Sequence, residues 1–226
     1  MVRLTSRLRA AADLCRRGGT VCDVGTDHAL LACYLAQTGA RSVIASDVRE
    51  GPLDAARRTI AEQGVTNVTA VLSDGLDKID YADDVVICGM GGELIMKIIS
   101  GCRFLSENTR FILQPMTKAD ALREQLYQSG FEILEERAAK EGERFYTVML
   151  VRYTGVKRQP DELFCFCGRI TDPDMLRHIA GKLLKNAAGM EASGSNSEQA
   201  RHLHKLAEQI REMAQGNCPD GGTKCL

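Results

Sequence analysis

Hydrophobic positions along the chain form short runs and longer stripes that take turns. Leu4, Leu8, Ala11, Ala12 and Cys15 recur at helical spacing and predict a helix over residues 4–16. Apolar runs at 20–24, 42–46, 68–72, 84–88 and 110–113 predict strands. Stripes at 28–37, 52–63, 94–99 and 118–128 predict helices, the second with Pro52 in its first turn and Gly64 just beyond its end. Two more strands, 131–136 and 145–153, are separated only by a polar turn around Glu141, Gly142 and Glu143. The pattern reads as five strand-to-helix alternations closed by a strand pair. Alternation predicts a parallel sheet covered by helices on both faces. The last pair, joined by a short turn, is expected to be antiparallel and to lie at one edge. The fold class is therefore α/β, with a seven-stranded sheet.

Beyond residue 155 the period is helical only. Leu176, Ile179, Leu183 and Leu184 mark one helix over 174–185, and Leu203, Leu206, Ile210 and Met213 mark another over 199–213. The polar turn between them predicts an antiparallel helical hairpin. Residues 216–226, rich in Gly and Pro, are expected to be disordered. Three regions follow: 1–155, an α/β domain; 156–215, a helical domain; and 216–226, a tail.

Composition changes this picture only in places. Of 226 residues, 44% are hydrophobic and 26% charged, the balance of a globular chain. No apolar run approaches the ~18 residues of a membrane span. The N-terminus lacks the apolar core of a secretory signal, so a cytoplasmic location is expected. The nine cysteines are scattered and odd in number. Cys165-Phe-Cys167 has no second pair at zinc-ligand spacing, so structural thiols and no metal are expected. Net charge is −1, but residues 1–17 carry +4 through Arg3, Arg7, Arg9, Arg16 and Arg17 against Asp13. Residues 18–154 carry −6 and residues 155–226 carry +1. Basic charge thus gathers at the start of the chain, where it is expected to meet phosphates, with Arg9, Arg16 and Arg17 extending it towards the catalytic edge. Arg177, Lys182, Lys185, Arg201 and Lys205 offer a second basic surface, or simply a solvated helix face.

The chemistry concentrates where strands end. The first strand runs into Asp23, Gly25, Asp27 and His28. Glycine there lets a ligand approach the backbone, yet Asp27 stands where a dinucleotide binder needs its second glycine. A carboxylate at that point repels a pyrophosphate and suits a cationic ligand such as S-adenosylmethionine, with its sulfonium and ammonium. Asp47, with Val48 beside it, ends the second strand about 20 residues on, placed to accept from ribose hydroxyls or to cap a helix. Asp74 and Gly75 end the third strand, and Asp74 is a candidate for an adenine amine. The fourth strand leads into Gly89, Met90, Gly91 and Gly92, an open edge where two substrates can meet or a packed helix start.

Several stretches together resemble one family: Ser6-Arg-Leu, the run from Asp23 to Leu31, Asp47-Val with Gly51-Pro52, Asp74-Gly75-Leu76, Gly89-Met-Gly-Gly92, and Leu113-Gln-Pro115. These residues are similar to those of the bacterial tRNA (adenine-22-N1)-methyltransferases, the TrmK type. The resemblance covers residues 3–154 in sequence and the helical remainder in pattern. It implies a class I methyltransferase fold of Rossmann-like type, a C-terminal coiled-coil-like helical domain, and methylation of N1 of adenine 22 in tRNA. Asp27 and His28 would line the reaction centre. Asp23, Gly25, Asp47, Val48, Asp74, Gly75, Gly89, Met90 and Gly91 would hold S-adenosyl-L-methionine. Arg3, Arg7, Arg9, Gly92 and Gln114 would meet the tRNA, and the chain is expected to act as a monomer.

Adenine N1 has an available lone pair, so no base is needed to activate it, but a nearby carboxylate would stabilise the charge that methylation leaves. Asp27 fits that role, or caps the following helix. N1 lies on the pairing edge, so the adenine must be unpaired or extruded. The chain has no Trp, and Phe145 and Tyr146 are either base contacts or core residues. A methyltransferase acting on another RNA or a small molecule, and a non-catalytic tRNA-binding protein with a retained fold, are the competing readings. An NAD-dependent dehydrogenase is disfavoured by the glycine pattern.

Overall fold

The computed structural model describes residues 2–194 and 196–216. The expected disordered tail, beyond Gly216, and Cys218 and Cys225 lie outside the described residues. Contacts divide the chain into two compact units that meet at Pro160 and Asp161, a few residues beyond the expected boundary at 155.

In the first unit the elements run α1 (Ser6–Ala12), β1 (Thr20–Val24), α2 (Leu30–Gln37), β2 (Ser42–Asp47), α3 (Glu50–Glu62) and β3 (Val68–Leu72). They continue with β4 (Asp84–Gly91), α4 (Gly92–Ser100), β5 (Arg110–Thr117), α5 (Ala119–Gln128), β6 (Phe131–Glu141) and β7 (Arg144–Tyr153). The seven strands form one sheet in the order β3-β2-β1-β4-β5-β7-β6. Strands β1 to β5 are parallel, and β7 lies antiparallel between β5 and β6, so the hairpin sits at the edge as expected. As the apolar pattern predicts, no helix follows β3, where Ser73 to Tyr81 turn directly into β4; the count is corrected, because four strand-to-helix pairs result rather than five. The central strands are apolar on both faces because helices cover both; Val85, Val86 and Ile87 of β4 and Phe111, Ile112 and Leu113 of β5 are fully buried.

The first helix is shorter than its periodicity predicts. It starts at Ser6 and stops at Ala12, after which Leu14 and Cys15 close tighter turns onto Ala11 and Ala12. Asp84, fully buried at the first position of β4, explains the departure. It takes the Arg16 amide at 2.6 Å, the Arg16 Nε at 2.9 Å, and Arg110 Nε and Nη2 each at 2.9 Å. A buried carboxylate needs such partners, and this one pulls the chain out of helical geometry. Its position also corrects the expected direction of the basic field. Arg16 is pinned at the amino end of β4, opposite the edge where the strands release their ligand loops, and Arg17 lies along Gly39 between α2 and β2.

The second unit holds α6 (Glu162–Cys167), α7 (Pro173–Ala192) and α8 (Ser197–Ala214). Helix α6, six residues long, is too short to leave a periodic signal; Asp161 starts it by accepting from the Phe164 amide at 2.7 Å. Asp172 caps α7 in the same manner at 2.8 Å, with Pro173 following. Asn196, at φ +45°, accepts from Gln199 and starts α8. Leu176, Leu183, Leu203, Leu206 and Ile210 are buried where α7 and α8 pack together, as the stripes predict. Among the described residues no helix is long and apolar enough to cross a membrane, and no group of three or more His, Cys, Asp or Glu could hold a metal ion.

Candidate active site

Strands β1 and β4 are neighbours in the sheet, yet the helices that follow them bracket different halves of it. Their carboxyl ends mark the point where strand order reverses, the place where open α/β sheets bind ligands. A cleft of about 290 Å³ opens there, lined by Asp23, Gly25, Thr26, Asp27 and His28 from β1 and its loop, Cys88 and Gly89 from β4, and Arg7 from α1.

The β1 loop is unusual in its backbone. Gly25, Asp27 and Ala29 lie at φ +74°, +51° and +54°, so the chain passes through the left-handed region at three alternate residues. This geometry holds the chain out of helix until Leu30, two residues later than expected. It also decides one alternative, since Asp27 is not the helix cap: Ala29 is, without a side-chain bond. Left-handed non-glycine residues cost about 1–3 kcal/mol each and gather at functional loops. Asp27 and His28 point into the cleft, both exposed, with His28 Nε2 3.8 Å from Asp27 Oδ2.

Asp23 is different. It is 4% exposed, and burial pushes its carboxyl up to about 6, reinforced by the charge of Asp47. The Thr26 hydroxyl, donating to Asp23 Oδ2 at 2.7 Å, offsets part of that rise. Asp47 is also buried, and its Oδ1 accepts from the Arg49 amide at 3.0 Å. It thus turns the chain after β2 rather than capping α3, whose cap is Arg49. Val48 beside it is 58% exposed, an apolar side chain standing open at the strand end.

The β4 edge is built around a bulge. The pairing of β4 with β5 shifts between Cys88 and Met90, and Gly89 sits in the gap at φ +79°. Its amide donates to Gln114 Oε1 at 3.1 Å. Met90 reaches across so that its methyl covers Gly25; any side chain at Gly25 would collide with it. Gly91 caps α4 in extended geometry.

Other expected site residues are placed elsewhere. Asp74 and Gly75 line a separate depression of about 180 Å³ with Leu94, Lys97 and Ile98. Gly92 is buried, and a Cβ there would lie 2.6 Å from the Lys118 carbonyl, so this glycine serves the packing of α4 on α5 and is closed to tRNA. Gln114 is fully buried with its amide satisfied, which closes it too. Arg7 turns inward: its Nη1 donates to Gln114 Oε1 at 3.0 Å and its Nε lies 3.7 Å from Glu141. Arg9 faces out but pairs with Asp13 at 2.9 Å and lies 5.3 Å from the centre of the Tyr34 ring. Arg3 is exposed and has no partner among the described residues. Sequence reasoning missed Thr26 and Glu141; a threonine three residues after a strand-end aspartate is a usable signal for the first, whereas nothing local announces the second.

Residues 4–149 match a family described as methyltransferase domain. A Bacillus subtilis (strain 168) tRNA (adenine(22)-N(1))-methyltransferase is 28% identical over 94% of this chain and 88% of its own length. Among solved structures, Streptococcus pneumoniae Sp1610, described as a candidate tRNA (m1A22) methyltransferase and in complex with S-adenosyl-L-methionine, is 29% identical. It covers 94% of this chain and 100% of its own at a TM-score of 0.77. The B. subtilis M1A22 tRNA methyltransferase TrmK is 25% identical, with coverage of 96% and 100% and a TM-score of 0.71. Both extend through the helical residues as well as the α/β unit. A strand order reversed at β1, a β4 bulge facing an acidic glycine loop, and the match over most of the α/β unit agree: the chain belongs to the methyltransferase domain family.

Proposed function

We propose that this protein methylates N1 of adenine 22 in tRNA, using S-adenosyl-L-methionine. One observation carries the reading: a cleft at the strand-order switch whose buried carboxylate, Asp23, has no cation paired with it among the described residues. A dinucleotide pyrophosphate does not fit beside Asp23, Asp27 and Asp47. A ligand with an ammonium and a sulfonium does, and Gly89 leaves the backbone open to it, while at Gly25 the Met90 methyl takes the space of a side chain.

When bound, S-adenosylmethionine supplies an electrophilic methyl group. Asp23 would hold the ammonium, and Arg7, which lines the cleft, would complement an amino-acid carboxylate. Asp47 would offer an oxygen to ribose hydroxyls, and Val48, with Asp74 and Gly75 from the neighbouring depression, would hold the adenine. Gly89, Met90 and Gly91 shape the edge where the target base arrives. Asp27 accepts from the N6 amine of that base and stabilises the positive charge appearing on the purine; His28 orients Asp27 or the base. Phosphates of the tRNA meet Arg3 and Arg9, with the helical unit as a further surface, and the enzyme works as a cytoplasmic monomer.

Transfer of labelled methyl to unmodified tRNA transcripts that carry adenine or guanine at position 22 tests the assignment. Label in the adenine transcript alone is expected. Equal label in both would discard the base, and no label despite cofactor binding would discard tRNA.

A further inference from the structure

The Gly89 bulge, which shapes the reacting edge, is held by groups outside the cleft. Gly89 lost its strand partner when the β4–β5 register shifted, and its amide depends on Gln114 Oε1. The orientation of that amide is fixed, because Gln114 Nε2 donates to the Pro115 carbonyl at 3.0 Å. Oε1 must therefore face Gly89, and it takes Arg7 Nη1 at 3.0 Å as well. Where Arg7 stands is set in turn by Glu141 at the tip of the β6–β7 hairpin. Glu141 Oε1 accepts the Arg7 backbone amide at 2.9 Å, across 134 residues of sequence. Thr5 is the first-turn cap position of α1, yet its own side chain caps nothing in the helix. The hairpin tip does that work instead, so α1 takes its register from Glu141.

We propose that Glu141 is a positioning residue: through Arg7 and Gln114 it sets the Gly89 bulge and so the geometry of the reacting edge. Glu141 does not line the cleft and touches no expected ligand. Its effect on turnover rests on the methyl-transfer reading above, whereas its effect on the bulge does not. The hairpin therefore has a role beyond closing the sheet, and a change at its tip reaches the site through three side chains.

Residue-resolved amide exchange in the free protein tests this without substrate. In Glu141→Ala the Gly89 amide should exchange about tenfold faster, while β1 and the body of β5 keep their protection. Glu141→Gln, which preserves the acceptor, should restore Gly89 to within about twofold of the parent. With methyl transfer as readout, Glu141→Ala should lower kcat by about tenfold, and adding it to Gln114→Ala should cost no more than about twofold beyond Gln114→Ala alone. Unchanged exchange at Gly89, loss of protection throughout the sheet, a Gln variant as fast as the Ala variant, or independent additive losses would each overturn the proposal. Absence of methyl transfer by the parent protein would count against the function and leave the exchange result standing.

Discussion

Burial lifts the Asp23 carboxyl above that of a free aspartate. Its folded value of about 6 lies above the ordinary 3.8, so between these the folded chain keeps a proton that the unfolded chain has lost. Stability of the free protein therefore falls as pH rises through that window and loses nothing more to this group above it. A ligand whose ammonium pairs with the ionised carboxyl has the reverse dependence. Affinity for S-adenosylhomocysteine, measured by calorimetry, should rise up to tenfold per pH unit below about 6 and level off above it, and Asp23→Asn should flatten the profile. A parent profile already flat between about pH 5 and 8 would detach Asp23 from the ligand. Asp27 is a separate case, exposed and held at φ +51°. Asp27→Ala should keep cofactor affinity and lose about 100-fold in turnover, and undiminished turnover would remove it from the mechanism.

Elements were legible in the sequence wherever burial dictates a period. The β4 run Val85-Val-Ile87 and the α7 and α8 stripes repeat one environment often enough to be read. What stayed hidden depends on partners far along the chain. Arg16 reads as surface charge until Asp84 is seen 68 residues away, and Arg7 reads as a phosphate contact until Gln114 and Glu141 claim it. Strand-end acids were legible because the motif is local, whereas the direction in which Gly92 faces depends on α5. These contacts carry expected costs. Asp84→Ala leaves two arginines without their shared acceptor and should destabilise the fold by about 3 kcal/mol in urea unfolding. Gly92→Ala forces α4 away from the Lys118 carbonyl and should cost about 1–3 kcal/mol. A loss under about 0.5 kcal/mol in either case would mean that the local packing relaxes freely.

At the scale of the whole molecule, the charge that the sequence gathers at the N-terminus is divided by the fold. Arg16 serves the amino edge of the sheet and Arg7 serves the cleft, leaving Arg3, Arg9 and Arg17 exposed. Binding of tRNA should still weaken steeply with salt, and Arg3→Ala should reduce the slope of log affinity against log salt by nearly one. A salt-independent affinity would argue against phosphate contacts altogether. The central claim concerns the position and the atom that receive the methyl group, and primer extension on the treated transcript reads both. Methylation at N1 blocks the pairing edge, so reverse transcription should stop at adenine 22 only when protein and S-adenosylmethionine are both present. Incorporated methyl with uninterrupted extension through position 22 would contradict the account.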